Sequence, residues 1–530
     1  MNLWTQPLDP LGALPLSALV AAVPLGVLLL LMGILRKSGA VSAAWGFVSA
    51  ACLAVIVWRM PVKLAALSAA FGVTYALWPI LWLVFTGLWL YNLSVDTGNF
   101  ELLRRWMAQH ASGDARIQTV LVAFSFGALL EGTAGFGVPV AVAAHLLLSL
   151  GLSSRRAVTL ALIANTAPVA FGGLGIPVVA LAGVTGLDQA KLSAMVGRQL
   201  PFLSLLLPSY LVWVSAGWKG LKEVWPAALV GGATFGIAQF AVSNFWGPYV
   251  ADIVAALASI AALVTFLEIW KPKRVTDQPG GVLLIRSLSE TLAAWMPWLL
   301  LSAVMIGWSY LRLFQWGQGS VRVPYLHNAV FISLYQRSYA AVYQFQPLAA
   351  GTAALVSILI SAAVFRCPLR VLFGSGLKTL KQLRMPGLTV GLIVALAYLY
   401  NYSGMAYTLG AALAALGGLF PLVSGFLGWV ACFLSGSDTA SNLLFGNLQV
   451  AVGHQIGVSP VLLAATNSSG AVTGKMISPQ NIAVGVTTVG LIGQEGEVLR
   501  ATFWHSLALA LGLSVVAYAQ AFWLQWMIPR

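Results

Sequence analysis

NTAPVAFGGLGIPVVALAGVT (Asn165–Thr185) and NSSGAVTGKMISPQNIAVGVT (Asn467–Thr487), laid side by side without a gap, share Asn165/Asn467, Gly172/Gly474, Pro177/Pro479, Gly183/Gly485, Val184/Val486 and Thr185/Thr487. Both stretches lie in a chain that is 59% hydrophobic, where helix breakers stand out. Asn, Gly and Pro inside an apolar span free backbone groups that lipid cannot satisfy, so such a stretch is packed in protein or lines a cavity. Paired interrupted segments at corresponding places are the sequence mark of a secondary transporter's binding site. The plainer alternative is a coincidence of breakers in a Gly- and Val-rich chain.

Composition agrees with the first reading. A mean hydropathy of +0.89, 8% charged residues and 20 Trp in 530 residues exclude a soluble globular domain, in which about 25% of residues are charged. The fold class is therefore an all-α polytopic membrane protein. A helix needs about 20 apolar residues to cross the hydrocarbon core. Runs of that kind, separated by short polar joins, give an expected architecture of about 12 spanning helices, two re-entrant hairpins and two broken helices. The net charge of +14 does not imply nucleic acid, because Lys and Arg fall between apolar runs, where they read as the positive-inside signal and as attraction to anionic lipid. Cys52, Cys367 and Cys432 are isolated and imply neither a disulfide framework nor a metal site. The first apolar run, Leu14 to Leu35, is longer than a signal-peptide core and is followed by Arg36 and Lys37, which predicts a retained first helix.

Three regions follow. Residues 1–269 form a first half with a hairpin over 117–150 and a broken helix over 155–186. Residues 270–346 form a variable connecting region that includes one helix. Residues 347–530 form a second half with a hairpin over 420–453 and a broken helix over 459–490. The hairpins are interrupted at Glu131-Gly-Thr-Ala-Gly-Phe-Gly-Val-Pro139 and Ser435-Gly-Ser-Asp-Thr-Ala-Ser441. Loop charge sets their orientation. If 117–150 turns back rather than crossing, Arg36/Lys37, Arg104/Arg105, Arg155/Arg156, Lys219/Lys222, Lys271/Lys273/Arg274 and Arg366/Arg370/Lys378/Lys381/Arg384 all face the cytoplasm. Both termini are then predicted periplasmic, and the two broken segments run in opposite directions, an inverted repeat.

Glu131 and Asp438 sit at the two hairpin interruptions. A carboxylate deep in a membrane is costly, so such acids mark ion or proton paths, and these two are the candidate proton-coupling residues. The alternative is an acid capping a half-helix N-terminus near the headgroups. Lys475 is the leading cation, expected to meet an anionic substrate or Asp438. Asn165, Thr166, Asn467, Ser468 and Ser469 offer amide and hydroxyl groups at the expected breaks, where half-helix N-termini present free N–H groups to a carboxylate. Their alternative use is interhelical hydrogen bonding. Thr439, and Tyr402 in Asn401-Tyr-Ser-Gly404, complete the substrate-binding candidates. Arg198, His145 and His505 are secondary or gating candidates, more ordinarily a snorkelling arginine and satisfied core histidines. The expected helix breaks are Gly135, Gly137, Pro139, Gly172, Pro177, Gly474 and Pro479. No Gly-rich phosphate loop with Lys and Ser/Thr occurs, nor any HExxH, so neither an ATP-driven pump, nor an enzyme, nor a cofactor is expected.

At these same residues the chain resembles the bacterial L-lactate permease family of the ion-transporter superfamily. The resemblance rests on LLEGTAGFGVPVAV (Leu129 to Val142), IANTAPVAFGGLGIPV (Ile163 to Val178), MVGRQLPF (Met195 to Phe202), NYSG (Asn401 to Gly404), FLSGSDTASN (Phe433 to Asn442) and TGKMISPQ (Thr473 to Gln480). It runs from the opening MNLW to the WHSL around His505, and is weak from Lys271 to Gln346 beyond Val323-Pro-Tyr-Leu326. The resemblance implies uptake of L-lactate, with glycolate and D-lactate, by proton symport across the bacterial inner membrane. The expected function is therefore a 2-hydroxymonocarboxylate:proton symporter, with the carboxylate among Asn165, Asn467, Ser468 and Lys475 and the proton on Asp438 or Glu131. The rivals are a carrier of another small organic anion, including a sodium-coupled one, and an anion channel. A dicarboxylate would want a second cation beside Lys475.

Overall fold

The computed structural model describes residues 3–35, 37–110, 114–135, 137–272 and 287–529. Arg36, Lys273 and Arg274 of the basic clusters, Phe136 of the first interruption, and Met1-Asn2 of the opening motif lie outside the described residues. The protein is a multi-pass helical membrane protein. Among the described residues nine helices are long and apolar enough to cross a membrane, or ten if Ser154–Ala164 and Val169–Thr185, bent by 65°, form one span. The expected figure of about 12 is higher, and two features account for part of the difference. Gln189–Phe245 satisfies the test as one stretch, yet it reverses at Gly217 (φ 69°, ψ −174°), so Ser204 meets Gln239 at 2.8 Å. Ala350–Val364 is apolar but only 15 residues long.

One expectation is corrected outright. Loop charge in the sequence includes Arg370, Lys378, Lys381 and Arg384, but they lie on the 35-residue helix Leu369–Ser403. That helix runs antiparallel to the stretch Val62–Asp96, with Gly72 against Val394 and Ala395 and Gly376 against Trp89. Asn92 Nδ2 donates to Thr379 Oγ1 at 2.8 Å and Gln382 Oε1 at 2.7 Å, and Lys378 Nζ lies 2.7 Å from Asp96. The covered face holds the basic stretch helical despite its polarity.

Both interrupted regions fold back on themselves. Gly127–Thr133 and Val138–Ser149 are joined through Gly135 (φ 56°) and Gly137 (φ 83°), and an added Cβ at Gly127 would lie 3.9 Å from Ala143 Cβ. Pro139 follows in the first turn of the second arm, where its missing N–H removes no helical bond. Phe420–Ser435 and Asp438–Ile456 turn at Gly436 (φ 70°), with Ser424 bonded to Gln449 and Ser441 to Gly428 across the pair.

The quoted twins are both broken, at matching places. The first changes hand at Gly173, Leu174 and Gly175 (φ 52°, 62° and 74°), inside Gly172–Thr185 and just before Pro177. The second stops at Lys475 and resumes at Pro479, as Pro460–Lys475 and Pro479–Thr488. The first copy has an additional interruption from Asn165 to Pro168, where Ser154–Ala164 ends. Gly474 is not a break. It lies within the helix, where a Cβ would fall 2.3 Å from Trp429 O, so glycine serves close helix approach there.

The repeat is inverted. Arg155, at the start of the first broken helix, forms an ion pair with Glu497, just beyond the end of the second. At the opposite face the end of the first is held by Asn401 Nδ2 on Val184 O (3.1 Å) and Tyr398 OH on Gly183 O (3.2 Å). His454, shortly before the second begins, lies on that face too, against Tyr335. That face carries a small β cap built from the connecting region and one N-terminal strand: Gly319–Arg322 pairs with Val342–Phe345, and Trp4–Thr5 with Val330–Ile332. These strands were not foreseen. Each second half-helix packs against the other half's hairpin, with Asn442 Nδ2 on Pro177 O (3.2 Å) and Gly485 against Val140.

Candidate functional site

Glu131 ends up in the last turn of Gly127–Thr133, where the helix dipole disfavours a carboxylate. Two groups from other elements offset this. Lys475 Nζ lies 2.6 Å from Oε1, and Asn165 Nδ2 donates to Oε2 at 2.9 Å. Glu131 and Lys475 are buried, so the pair joins the first hairpin to the second broken helix out of bulk water. Gly172 makes this possible, because a Cβ there would stand 2.5 Å from Glu131 Oε1. The lysine partner expected for Asp438 is thus Glu131's.

Asp438 opens Asp438–Ile456, where the same dipole favours an acid. Ser468 Oγ donates to its Oδ2 at 2.8 Å, its Oδ1 has no partner, and among the described residues it makes no ion pair. Ser437 caps that helix by accepting from Ala440 N.

A cavity of about 840 Å³ is lined by Glu131, Asp438, Thr439, Lys475, Gln480 and Asn481 together with both hairpin turns, and reaches Lys37, Ser38, Met385, Thr389 and Glu495. No residue of the β cap lines it. Of the sequence candidates, Glu131, Asp438, Thr439, Lys475, Gly135, Gly137, Gly172, Pro177 and Pro479 are brought to this wall. Asn165 stands one bond behind it, on Glu131.

Ser468 likewise stands one bond behind this wall, on Asp438, and the remaining candidates lie elsewhere. Asn467, Ser468 and Ser469 are within Pro460–Lys475 rather than at its break. Asn467 Nδ2 donates to Asn442 Oδ1 (3.0 Å), Gln449 Nε2 donates to Asn467 Oδ1 (3.3 Å), and Ser469 Oγ donates to Gln199 Oε1 (2.7 Å). They tie helices together, the alternative use weighed above. Thr166 is buried with its hydroxyl unpartnered. Tyr402 is buried at the capped face, stacked on Tyr339 with ring centroids 4.2 Å apart. Arg198 is occupied by Asn244 Oδ1 (2.8 Å) and Met527 O (2.7 Å). His505 Nδ1 meets Tyr210 OH at 2.5 Å, and His145 is exposed on the outer side of its helix.

Sequence reasoning missed two residues here. Asp252, fully buried, accepts from Gln239 Nε2 at 2.9 Å and packs behind Gly132, next to Glu131. It falls at the start of an apolar run, where an acid reads as a span end. Asn481 lies inside the second quoted stretch opposite Val179, and that asymmetry was the available signal.

The arrangement holds a buried cation and its counter-ion on the wall of a cavity between two inverted halves, which suits binding and release of a small anion rather than bond chemistry. The sequence profile described as L-lactate permease matches residues 17–524. The glycolate permease GlcA of Escherichia coli (strain K12) is 42% identical over 98% of this chain and 99% of its own. The L-lactate permease of Salmonella typhimurium is 42% identical over 100% of both chains, and that of Bacillus subtilis 40% over 99% of this chain and 100% of its own. The crystal structure of the Alcanivorax borkumensis YdaH transporter shares the fold, with a TM-score of 0.51 at 13% identity over 93% of this chain and 100% of that one.

Proposed function

The chain belongs to the L-lactate permease family, and from that premise we propose that it imports lactate and glycolate by proton symport across the bacterial inner membrane. As a permease it is a transporter and not an enzyme. The coupling rests on one observation, the 2.6 Å ion pair of Lys475 and Glu131 at the cavity wall.

In the empty carrier, ionised Glu131 neutralises Lys475. A proton taken by Glu131 releases the ammonium, and a substrate carboxylate takes the vacated place. The N–H groups that open Asp438–Ile456 and the Thr439 hydroxyl supply further donors. Proton and carboxylate together leave the charge of the site unchanged. Either one alone leaves an unpaired buried charge, which costs several kcal/mol. That penalty makes the two travel together. Asp438 makes no ion pair among the described residues, so of the two acids Glu131 is given the coupling role.

The halves 1–269 and 347–530 then expose the site alternately, with the hairpins re-entrant and both termini periplasmic. On this orientation the cavity opens to the cytoplasm, where Lys37 and Glu495 lie, while the cap seals the outer side. The test is uptake into proteoliposomes under imposed gradients. A proton gradient should drive accumulation of lactate and glycolate with sodium absent. Accumulation driven by sodium at clamped pH, or non-saturating flux, would favour the sodium-coupled carrier or the channel.

A further inference from the structure

Asn481 stands in the first turn of Pro479–Thr488, on the cavity wall, and ties three elements together. Its Nδ2, with two hydrogens to share among them, lies within donating distance of Ser478 Oγ (2.7 Å), Gly436 O at the second hairpin's turn (3.2 Å) and Lys475 O (3.4 Å). The two backbone carbonyls, which can only accept, fix which end of the carboxamide points where. Oδ1 is therefore the end turned toward Gly137 of the first hairpin, 3.8 Å from where a Cβ there would stand, and Gly137 also lines the cavity. Among the described residues this oxygen accepts no hydrogen bond, although Asn481 is 97% buried (3% exposed). The oxygen opens onto the cavity with its lone pairs unused, so the position suits a ligand that brings a donor.

The chemistry of that ligand follows from the neighbour. Lys475 closes one half-helix and Asn481 opens the next, and both face the same cavity. The wall thus presents a cation beside a bare acceptor. Lactate and glycolate, the cargoes named for the relatives, carry a hydroxyl on the carbon next to the carboxylate. We propose that Asn481 Oδ1 accepts a hydrogen bond from the 2-hydroxyl group of the substrate while Lys475 holds its carboxylate. Asn481 then selects 2-hydroxy acids over plain monocarboxylates, which leave the oxygen unpaired. It also disfavours dicarboxylates, whose second anion would meet a carbonyl oxygen. The Thr439 hydroxyl, both donor and acceptor, cannot discriminate in this way.

This assignment rests on the transport reading above, and the experiment separates the two. Labelled L-lactate counterflow is measured in proteoliposomes with unlabelled L-lactate, propionate or 2-methoxypropionate as competitor. For the wild type, propionate and 2-methoxypropionate should compete about 10- to 100-fold more weakly than lactate, the cost of a bound ligand that covers this acceptor without donating to it. In Asn481→Leu the gap should close while the weaker residual exchange persists. In Asn481→Ser, which retains an acceptor, part of the gap should return. A variant in which all three competitors weaken together, with their ratios unchanged, would show a structural role and overturn the assignment. Equal competition by the three in the wild type overturns it without recourse to any variant. Wild-type protein without lactate exchange would overturn the transport reading itself.

Discussion

Lys475 Nζ and Glu131 Oε1, 344 positions apart in the chain, lie 2.6 Å from each other on the wall of one cavity and join the two halves of the repeat. The contact gives each charge its only ion-pair partner among the described residues. On the proposed mechanism, one anion is exchanged for another at this seam between the halves.

Removing the cation alone should therefore be costly. Lys475→Met leaves a buried carboxylate opposed only by Asn165, and loss of one partner of such a pair costs about 3–5 kcal/mol. Thermal unfolding in detergent should show a lower Tm for Lys475→Met and recovery in Lys475→Met/Glu131→Gln, while neither transports lactate. A single variant as stable as the wild type would contradict the pairing.

Gly172 should tolerate no side chain. A methyl group there would stand 2.5 Å from Glu131 Oε1, so Gly172→Ala has to displace the carboxylate. Misplacement of about 1 Å lowers rates by about 10- to 100-fold, and initial lactate uptake should fall by that amount with expression unchanged. Wild-type uptake in Gly172→Ala would show that the carboxylate position is not critical.

Glycines of a second kind set helix spacing. Cβ atoms at Gly428 and Gly470 would fall 2.0 Å from Asn467 O and Gly425 O, so Phe420–Ser435 and Pro460–Lys475 touch backbone to backbone. Gly428→Leu should destabilise by about 1–3 kcal/mol through overpacking, seen as a lower Tm. An unchanged Tm would place the two helices farther apart than described.

Topology has its own test. Single cysteines at Arg104 and Arg155, in a background without the exposed Cys52 and the partly exposed Cys367, should be labelled from the same side of the membrane. Labelling from opposite sides would mean that 117–150 crosses rather than folding back.

Breakers in an apolar chain were enough to find both folded-back hairpins and both broken helices, because in lipid a Gly or Pro interruption has few structural explanations. Glu131, Asp438 and Lys475 were legible for the same reason, each being a charge where charge is expensive. Their pairing was not legible. The sequence offers Lys475 an anionic substrate or Asp438 of its own half, whereas the fold pairs it with Glu131 across the repeat, and only tertiary packing decides that. Asn467 and Ser469 tie helices together rather than line the cavity, because a polar residue inside a membrane helix looks alike in sequence whether it faces a cavity or a neighbouring helix. The basic helix over 369–384 misled in the opposite way, since its charge resembles a loop until the cover of the Val62–Asp96 stretch is seen. Asp252 was hidden by its position at the edge of an apolar run.

The central claim is that a proton on Glu131 releases Lys475 for the substrate carboxylate. A single proton linked to binding in this way should raise lactate affinity as pH falls, by up to about tenfold per pH unit. The most direct measurement compares wild type and Glu131→Gln in proteoliposomes with an alkaline interior, following both net lactate accumulation and lactate exchange as external pH is varied. The account predicts that the wild type accumulates lactate and loses it on addition of a protonophore. Glu131→Gln, permanently uncharged at this position, should exchange lactate with little pH dependence and accumulate none. Proton-driven accumulation by Glu131→Gln at the wild-type level would contradict it.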